Sequence, residues 1–280
     1  MNLPFSKMQG TGNDYIYINA FEYTLSNPAD LAVKLSDRHF GIGADGLVLI
    51  MPSRTCDLRM RMFNSDGSEA QMCGNASRCV GKYAYEHGLV CKTDISLETL
   101  AGAKQLHLHL DEDNKVKEVT VDMGEPRLTP ESLPVLLTQE QMIDYRIRAL
   151  EFQGNMTCVS MGNPHAVFFV DHLADIDIPA IGKLLECHPL FPEHTNVEFA
   201  QVLGNNDIRM RVWERGTGET LACGTGACAT LVAAVLNHRT QAEARVHCLG
   251  GTLHVRWDKN NNHVYLTGPA AYTFEGTIQI

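Results

Sequence analysis

Cys73 and Cys223 stand 150 residues apart, and each is followed by glycine and then by a residue suited to a helix start: Cys73-Gly74-Asn75 and Cys223-Gly224-Thr225. A thiol at the mouth of a helix meets unpaired N–H groups and about +0.5 charge from the helix dipole, which favours thiolate and attracts an anion. Gly74 and Gly224 leave no Cβ where a ligand approaches those amides. Asn75 and Thr225 are expected to cap the helices. A single cysteine at such a place is ordinarily inert. Two at a fixed offset form a pair of carboxylate cradles, each with a sulfur beside it. Related by the pseudo-twofold axis that a duplication implies, the two helix ends would converge on one anion, with Cys73 and Cys223 flanking the carbon attached to it. Abstracting a proton alpha to a carboxylate needs stabilised negative charge, which two helix ends provide without a positive cofactor. If one thiolate takes the proton while the opposite thiol delivers one, the carbon inverts. That is racemisation by two bases. Facing each other across a small site, the two thiols would also join in a disulfide on oxidation and lose activity until reduced.

Other residues add to the pair. His165 follows Asn163-Pro164 and opens a strand beside a Gly-Asn box that occurs twice, at Gly12-Asn13 and Gly162-Asn163; structural and functional roles for it stay open. Glu214 and Arg215 break the duplication, because their counterparts are Asn64 and Ser65. A guanidinium there is suited to hold a second carboxylate in a bidentate grip; the alternative is a surface ion pair between neighbours. Cys79 and Cys228 read as small core residues, and His107 and His109 as the solvated face of a strand. No Cys-x-x-Cys pair occurs, and Cys73 and Cys79 fall on different helix faces, so no metal is expected.

The elements that must carry these residues repeat with them. Asp57-Leu58-Arg59-Met60-Arg61-Met62-Phe63 precedes Asp207-Ile208-Arg209-Met210-Arg211-Val212-Trp213 by the same 150 residues, and Glu69 precedes Glu219 likewise. A repeat this long is a domain duplication, since solenoid repeats run about 20 to 50 residues. The expected fold is α/β of the α+β kind: two pseudo-symmetric domains, each a curled, mostly antiparallel sheet around a central helix. Residues 1–122 with 270–280 form the expected first half and 123–269 the second, with Gly124 to Gln141, holding Pro126, Pro130 and Pro134, as the linker. Strands are read at 15–19, 46–51, 57–63 and about 273–280, and a hairpin of 106–110 with 116–123. Asn27-Pro28 and Pro179 open two helices, the second with Ile181, Leu184 and Leu185 on one side. The run Ala227 to Leu236 is apolar nearly all round, which predicts a buried helix at the centre of its half, and the helix after Cys73 is expected to match it.

Of 280 residues, 44% are hydrophobic and 20% charged, which suits two ordinary cores rather than disorder. The net charge of −10 and the absence of basic runs argue against a nucleic-acid partner. No membrane span or targeting segment is read, and nine cysteines, an odd number, fit free thiols in the cytoplasm better than a disulfide framework.

Seven boxes resemble the diaminopimelate epimerase family: Gly12-Asn13-Asp14, the run Gly41 to Gly46, the run Phe63 to Ser68, Cys73-Gly74-Asn75, Met161 to His165, Glu214-Arg215-Gly216 and the run Glu219 to Gly226. The resemblance covers nearly the whole chain. It implies a pyridoxal-independent isomerase that converts LL-diaminopimelate to the meso form in lysine and peptidoglycan-precursor synthesis, in two curled α/β halves paired as a homodimer. By that likeness Cys73 and Cys223 are base and acid, and the amides of Gly74, Asn75, Gly224 and Thr225 receive the reacting carboxylate. Asn13, Asn64, Asn163, Asn196 and Arg215 would fix the rest of the substrate, with His165 and Glu214 assisting the thiols and Glu214 also bordering the substrate. The chain departs from the family pattern at Ala76-Ser77 for Gly-Ala, at Gly46 for a glutamine of some members, and at Phe274 for a tyrosine at the dimer contact. Two other readings stand beside it. One is a cofactor-independent racemase of another amino acid such as histidine, which a buried Arg215 disfavours; the other is a noncatalytic amino-acid-binding protein.

Overall fold

The computed structural model describes residues 2–137, 140–150 and 152–280. The chain divides into two compact units, Met1–Asp122 with Thr267–Ile280, and Met123–Leu266. The first unit contains β1 (Asn2–Gly10), β2 (Asn13–Asn19), α1 (Pro28–Ser36), β3 (Gly46–Met51), β4 (Leu58–Asn64), β5 (Glu69–Ala70), α2 (Gly74–Glu86), β6 (Asp94–Thr99) and β7 (Gly102–Leu110), and β8 (Val116–Gly124) leads out of it. The last strand, Ala271–Gln279, belongs to this unit and pairs antiparallel with β1. The second unit runs β9 (Tyr145–Ala149), β10 (Phe152–Ser160), β11 (Pro164–Phe169), α3 (Ile178–Glu186), β12 (Asn196–Gly204), β13 (Asp207–Glu214), β14 (Gly218–Thr220), α4 (Gly224–Leu236), β15 (Glu243–Cys248) and β16 (Gly251–Trp257), and β17 (Val264–Pro269) leads out of it.

The two units share one topology. β1 and β2 pair antiparallel, β2 and β3 parallel, β3 and β4 antiparallel, β4 and β6 parallel, and β6 and β7 antiparallel. The same sequence of pairings joins β10, β11, β12, β13, β15 and β16. Register repeats too: Tyr15 lies opposite Gly46 across the parallel pair of the first unit, and His165 opposite Asn196 in the second. Each parallel pair is joined through one helix, β2 to β3 through α1, β4 to β6 through α2, β11 to β12 through α3 and β13 to β15 through α4, because parallel strands need a crossover connection.

In each unit the mixed, mostly antiparallel sheet curls around one helix. α4 packs on β10, β11, β12, β13, β15 and β16, and Leu231 and Val232 on it are fully buried, each worth roughly 1.5–3 kcal/mol. α2 packs on β1, β2, β3 and β7 and is as deeply buried from Gly74 to Ala84, although it carries Arg78 and Lys82. A buried cation is tolerated only with partners. Arg78 donates to the Pro269 carbonyl and, at 2.7 Å, to Thr11 Oγ1; Lys82 donates to Glu86 Oε1 at 2.9 Å and to the Val116 carbonyl. Cys79 and Cys228 are wholly buried, and His107 and His109 lie exposed on β7 against Asp94 and Thr120.

Some local details differ from the pattern. Asn27 precedes α1 but makes no cap; its amide donates to Asp30 Oδ2 instead. α3 starts at Ile178, one residue before Pro179, because Asp177 caps it by accepting from Ala180 N. Its buried face is Ile178, Gly182 and Leu185, which follows the helical repeat and leaves Leu184 40% exposed. The expected linker carries a 3-10 turn at Pro130–Ser132, and Leu133 and Val135 join the second unit's core. Thr138 and Gln139, within that stretch, lie outside the described residues.

Candidate active site

In the first unit Cys73 is itself the N-cap of α2, with extended backbone (φ −138°, ψ 122°) and no side-chain cap bond. The same holds for Cys223 at α4 (φ −124°, ψ 115°). The caps expected from Asn75 and Thr225 are therefore corrected: both residues lie inside the first turn, and the cysteines occupy the cap positions. The first-turn amides of Gly74 and Asn75, and of Gly224 and Thr225, thus receive no cap from the cysteine side chains. Asn75 Oδ1 is buried with no hydrogen-bond partner among the described residues.

A repeated ion pair positions both cysteine loops. Arg61 on β4 grips Glu69 on β5 through two bonds of 2.7 and 2.8 Å. Arg211 on β13 grips Glu219 on β14 through bonds of 2.7 and 3.0 Å. Each fork holds the short strand that ends just before its cysteine, and bidentate geometry fixes direction as well as distance. The matched spacing of these four residues was visible in the sequence; their pairing was not.

Around Cys73 the chemistry is a polar chain. Its Sγ donates to Asn13 Oδ1 at 3.4 Å, and Asn13 Nδ2 donates to Asp45 Oδ2 at 2.8 Å. Arg38 bridges Asp45 and Asp14, at 3.0 and 2.8 Å, and Lys7 pairs with Asp14 at 2.6 Å. Burial raises the Asp45 carboxyl, and the neighbouring Asp14 charge adds to that. Burial also acts upward on Asp14, but the bonds from Arg38 and Lys7 outweigh it and hold that carboxyl low. Asn64 does not join this chain by any described hydrogen bond: it donates to Ser68 Oγ at 3.0 Å in the turn after β4.

Around Cys223 the chemistry is acidic and dry. Cys223 is 6% exposed, and its thiol bonds to Glu214, which also accepts from Thr220 Oγ1 at 2.5 Å. Burial first, then the charges of Glu214 and Glu198, push the Cys223 thiol well above its ordinary range; Thr225, 3.4 Å away, and the Gly226 N–H act the other way. This cysteine rests as a thiol. Glu214 is raised as well, by burial chiefly. Glu198, which the sequence reading missed, lies with Oε1 2.6 Å from His165 Nδ1, and both side chains are fully buried. The other ring nitrogen of His165 is 3.0 Å from Asn163 Oδ1. The available signal for Glu198 was one acid inside the apolar run Val197-Glu198-Phe199-Ala200.

The remaining residues hold a turn. Asn196 donates to the Pro164 carbonyl at 2.9 Å and accepts from Arg215 N at 2.9 Å, so it ties β11 and β12 to the turn after β13. Arg215 is exposed, not buried, and its Nη1 donates to the Glu193 carbonyl. It pairs with that carbonyl because the turn carries its side chain outward from β13. Glu214 and Arg215 thus diverge, one towards Cys223 and one towards Glu193, which replaces the neighbour ion pair considered above.

The chain is thus a duplicated α/β scaffold with a cysteine at the mouth of each central helix, one beside the Asn13 amide and one beside the Glu214 carboxylate. Its fold matches that of a PhzF-family phenazine biosynthesis protein from Bacillus anthracis, with a TM-score of 0.72 at 16% identity and all of both chains covered. The family model for diaminopimelate epimerase matches residues 5–129 and 157–273, and the chain belongs to that family. It is 56% identical to the diaminopimelate epimerase of Acetivibrio thermocellus over 279 residues, covering 99% of this chain and 98% of that one. The diaminopimelate epimerase of Desulfovibrio desulfuricans is 55% identical, with 99% of each chain covered.

Proposed function

We infer that this enzyme is an isomerase that interconverts LL- and meso-diaminopimelate, with Cys73 and Cys223 as its two proton-transferring groups. The observation that carries the reading is the N-cap position of both cysteines, each at the first turn of a helix buried in its own unit. A carboxylate at those amides gains hydrogen bonds and dipole stabilisation that grow as the alpha carbon becomes carbanionic. One thiolate removes the alpha proton; the other thiol returns a proton to the opposite face, and the roles exchange in the reverse direction. Cys223, resting protonated, is the acid in one direction. When it must act as base, Glu214 takes its proton, a transfer eased because burial raises that carboxyl. His165 positions this end: bonded at one nitrogen to Glu198 and at the other to Asn163, it holds a fixed ring beside Glu214. No electron sink is needed if the helix termini carry the developing charge, so the reading includes no pyridoxal and no metal.

Arg215, exposed and directed by Asn196, is suited to the distal carboxylate, which a diamino diacid has and histidine lacks. Asn13, Asn64 and Asn163 complete the proposed substrate contacts. The reading also includes a reducing cytoplasm, which suits nine free cysteines, and a homodimer, for which Phe274, 46% exposed on the last strand, offers an apolar ring. Among the described residues no helix is long and apolar enough to cross a membrane.

The test is isotope exchange. In deuterated water, LL-diaminopimelate should acquire deuterium at the alpha carbon as the meso form appears, and L-histidine should not. Exchange with histidine alone, or with neither, would overturn the assignment. Cys73→Ala and Cys223→Ala should each abolish turnover while ligand binding persists.

A further inference from the structure

Outside the cysteine sites, the second unit gathers Glu186, Cys187 and His194, whose ligand atoms all lie within 4.8 Å of one another. We propose that these three side chains form a binding site for a zinc-class divalent cation. The assignment is independent of the proton-transfer reading, since none of the three is assigned to that chemistry.

Two of the three edges of this ligand triangle are close to those the cation needs. A tetrahedral zinc ion with Zn–S about 2.3 Å, Zn–N about 2.05 Å and Zn–O about 2.1 Å sets its sulfur and nitrogen ligands about 3.6 Å apart, and its nitrogen and oxygen ligands about 3.4 Å apart. Cys187 Sγ lies 3.8 Å from His194 Nδ1, and His194 Nδ1 lies 3.5 Å from Glu186 Oε1. Those edges need to shorten by only a few tenths of an ångström. The donor set of one thiolate, one imidazole and one carboxylate suits zinc, with a fourth position left for water.

The carboxylate is also aimed. Glu186 accepts from Trp213 Nε1 at 2.7 Å on one oxygen and from Gly216 N at 2.8 Å on the other. Two bonds leave lone pairs on a carboxylate, and outer partners of this kind orient a metal ligand. His194 sits in the left-handed region (φ 60°), a conformation uncommon for a residue with a Cβ, in a turn closed by its own N–H to the Phe191 carbonyl at 3.0 Å. That turn brings it back over the end of α3, where Cys187 is the C-cap. Cys187 and His194 are exposed, so an ion can enter from solvent, and Cys187 gives up its thiol proton to solvent as it binds.

The probe is Co²⁺ added to the reduced full-length protein. One cobalt per chain should produce a thiolate-to-cobalt charge-transfer band and the visible bands of a tetrahedral ion, and Zn²⁺ should erase both. Cys187→Ala should abolish the charge-transfer band, and His194→Ala should weaken cobalt binding by at least about tenfold. Both variants should keep the metal-free turnover of the parent. A Cys73→Ala, Cys223→Ala double variant should retain the band. Absence of the band in the parent, its survival in Cys187→Ala, or its loss only in the double variant would each overturn the site.

Discussion

Glu198 Oε1 lies 2.6 Å from His165 Nδ1, with neither side chain exposed to solvent. Burying such a pair costs desolvation on both groups, and removing one member strands the other. The approach depends on a residue that is in neither side chain. A Cβ on Gly226 would fall 2.6 Å from Glu198 Oε1 and 3.2 Å from the Cβ of Cys223. Gly226 therefore makes room for the carboxylate in the first turn of the helix that Cys223 begins.

Gly226→Ala is expected to destabilise the protein by about 1–3 kcal/mol through overpacking, and to lower kcat by at least about tenfold as Cys223 shifts. His165→Ala should cost more stability, about 3–5 kcal/mol, because the buried Glu198 loses its partner. Urea unfolding and turnover of both variants check the order. If Gly226→Ala matched the parent in both assays, the close packing around Glu198 would not matter.

Glu214→Gln separates catalysis from stability. Loss of a general base costs typically about 10² to 10⁴ in rate, so isotope exchange should fall by at least about 100-fold with little change in KM. Stability should move the other way at high pH. Burial, with the Glu198 charge adding to it, raises the folded Glu214 carboxyl above its ordinary value of 4.5, so the group contributes most to stability below that pH. That contribution is lost as pH rises through the folded pKa. The variant should therefore gain stability relative to the parent as pH rises from 4.5 into the alkaline range, which urea midpoints will report. An unchanged difference across that range would contradict the burial of this carboxylate.

The part of this design that was legible in the sequence is the part written twice. The cysteines, the glycines after them and the strands before them recur at one offset, and α2 and α4 keep that offset of 150 residues at both ends. What escaped depends on register. Glu198 reaches His165 because β11 and β12 run parallel with His165 opposite Asn196, which puts Glu198 two residues on along the same face. Asp45 reaches Asn13 across the equivalent parallel pair. Parallel pairing joins segments about 30 residues apart, and no local pattern states its register. Glu186, Cys187 and His194 escaped for a related reason, since a turn and not a spacing motif brings them together. The exposure of Arg215 escaped because residue type does not tell which way a turn presents its side chain.

Asp57 gives a stability effect of opposite sign. The Lys92 ammonium 2.8 Å away, together with the Ser96 N–H and hydroxyl, holds the Asp57 carboxyl down at about 2 from an ordinary 3.8. Its contribution is present above pH 3.8 and is lost as pH falls towards about 2. Lys92 is more than half exposed, so screening limits the ion-pair part to under about 1 kcal/mol. Asp57→Asn should therefore lower the urea midpoint slightly at neutral pH, and the difference should close in acid. A difference that widened in acid would exclude this account.

Gly46 tests whether the departure at this position removes a substrate contact or reflects local packing. It lies opposite Tyr15 on β2 and Asn64 on β4. A Cβ there would sit 2.1 Å from the Phe63 carbonyl oxygen, 2.8 Å from Tyr15 Cε1 and 3.1 Å from Asn64 Cα. Two of those three atoms are backbone, so β4 itself must move, and Phe63, 2% exposed, would move with it. Gly46→Gln should therefore lose about 1–3 kcal/mol or more and bring no gain in KM. Gly46→Ala should lose a similar amount, which assigns the cost to the Cβ and not to the amide. Urea unfolding and KM for LL-diaminopimelate decide it: a Gly46→Gln enzyme as stable as the parent with a lower KM would show that this strand end has room for a substrate-binding side chain.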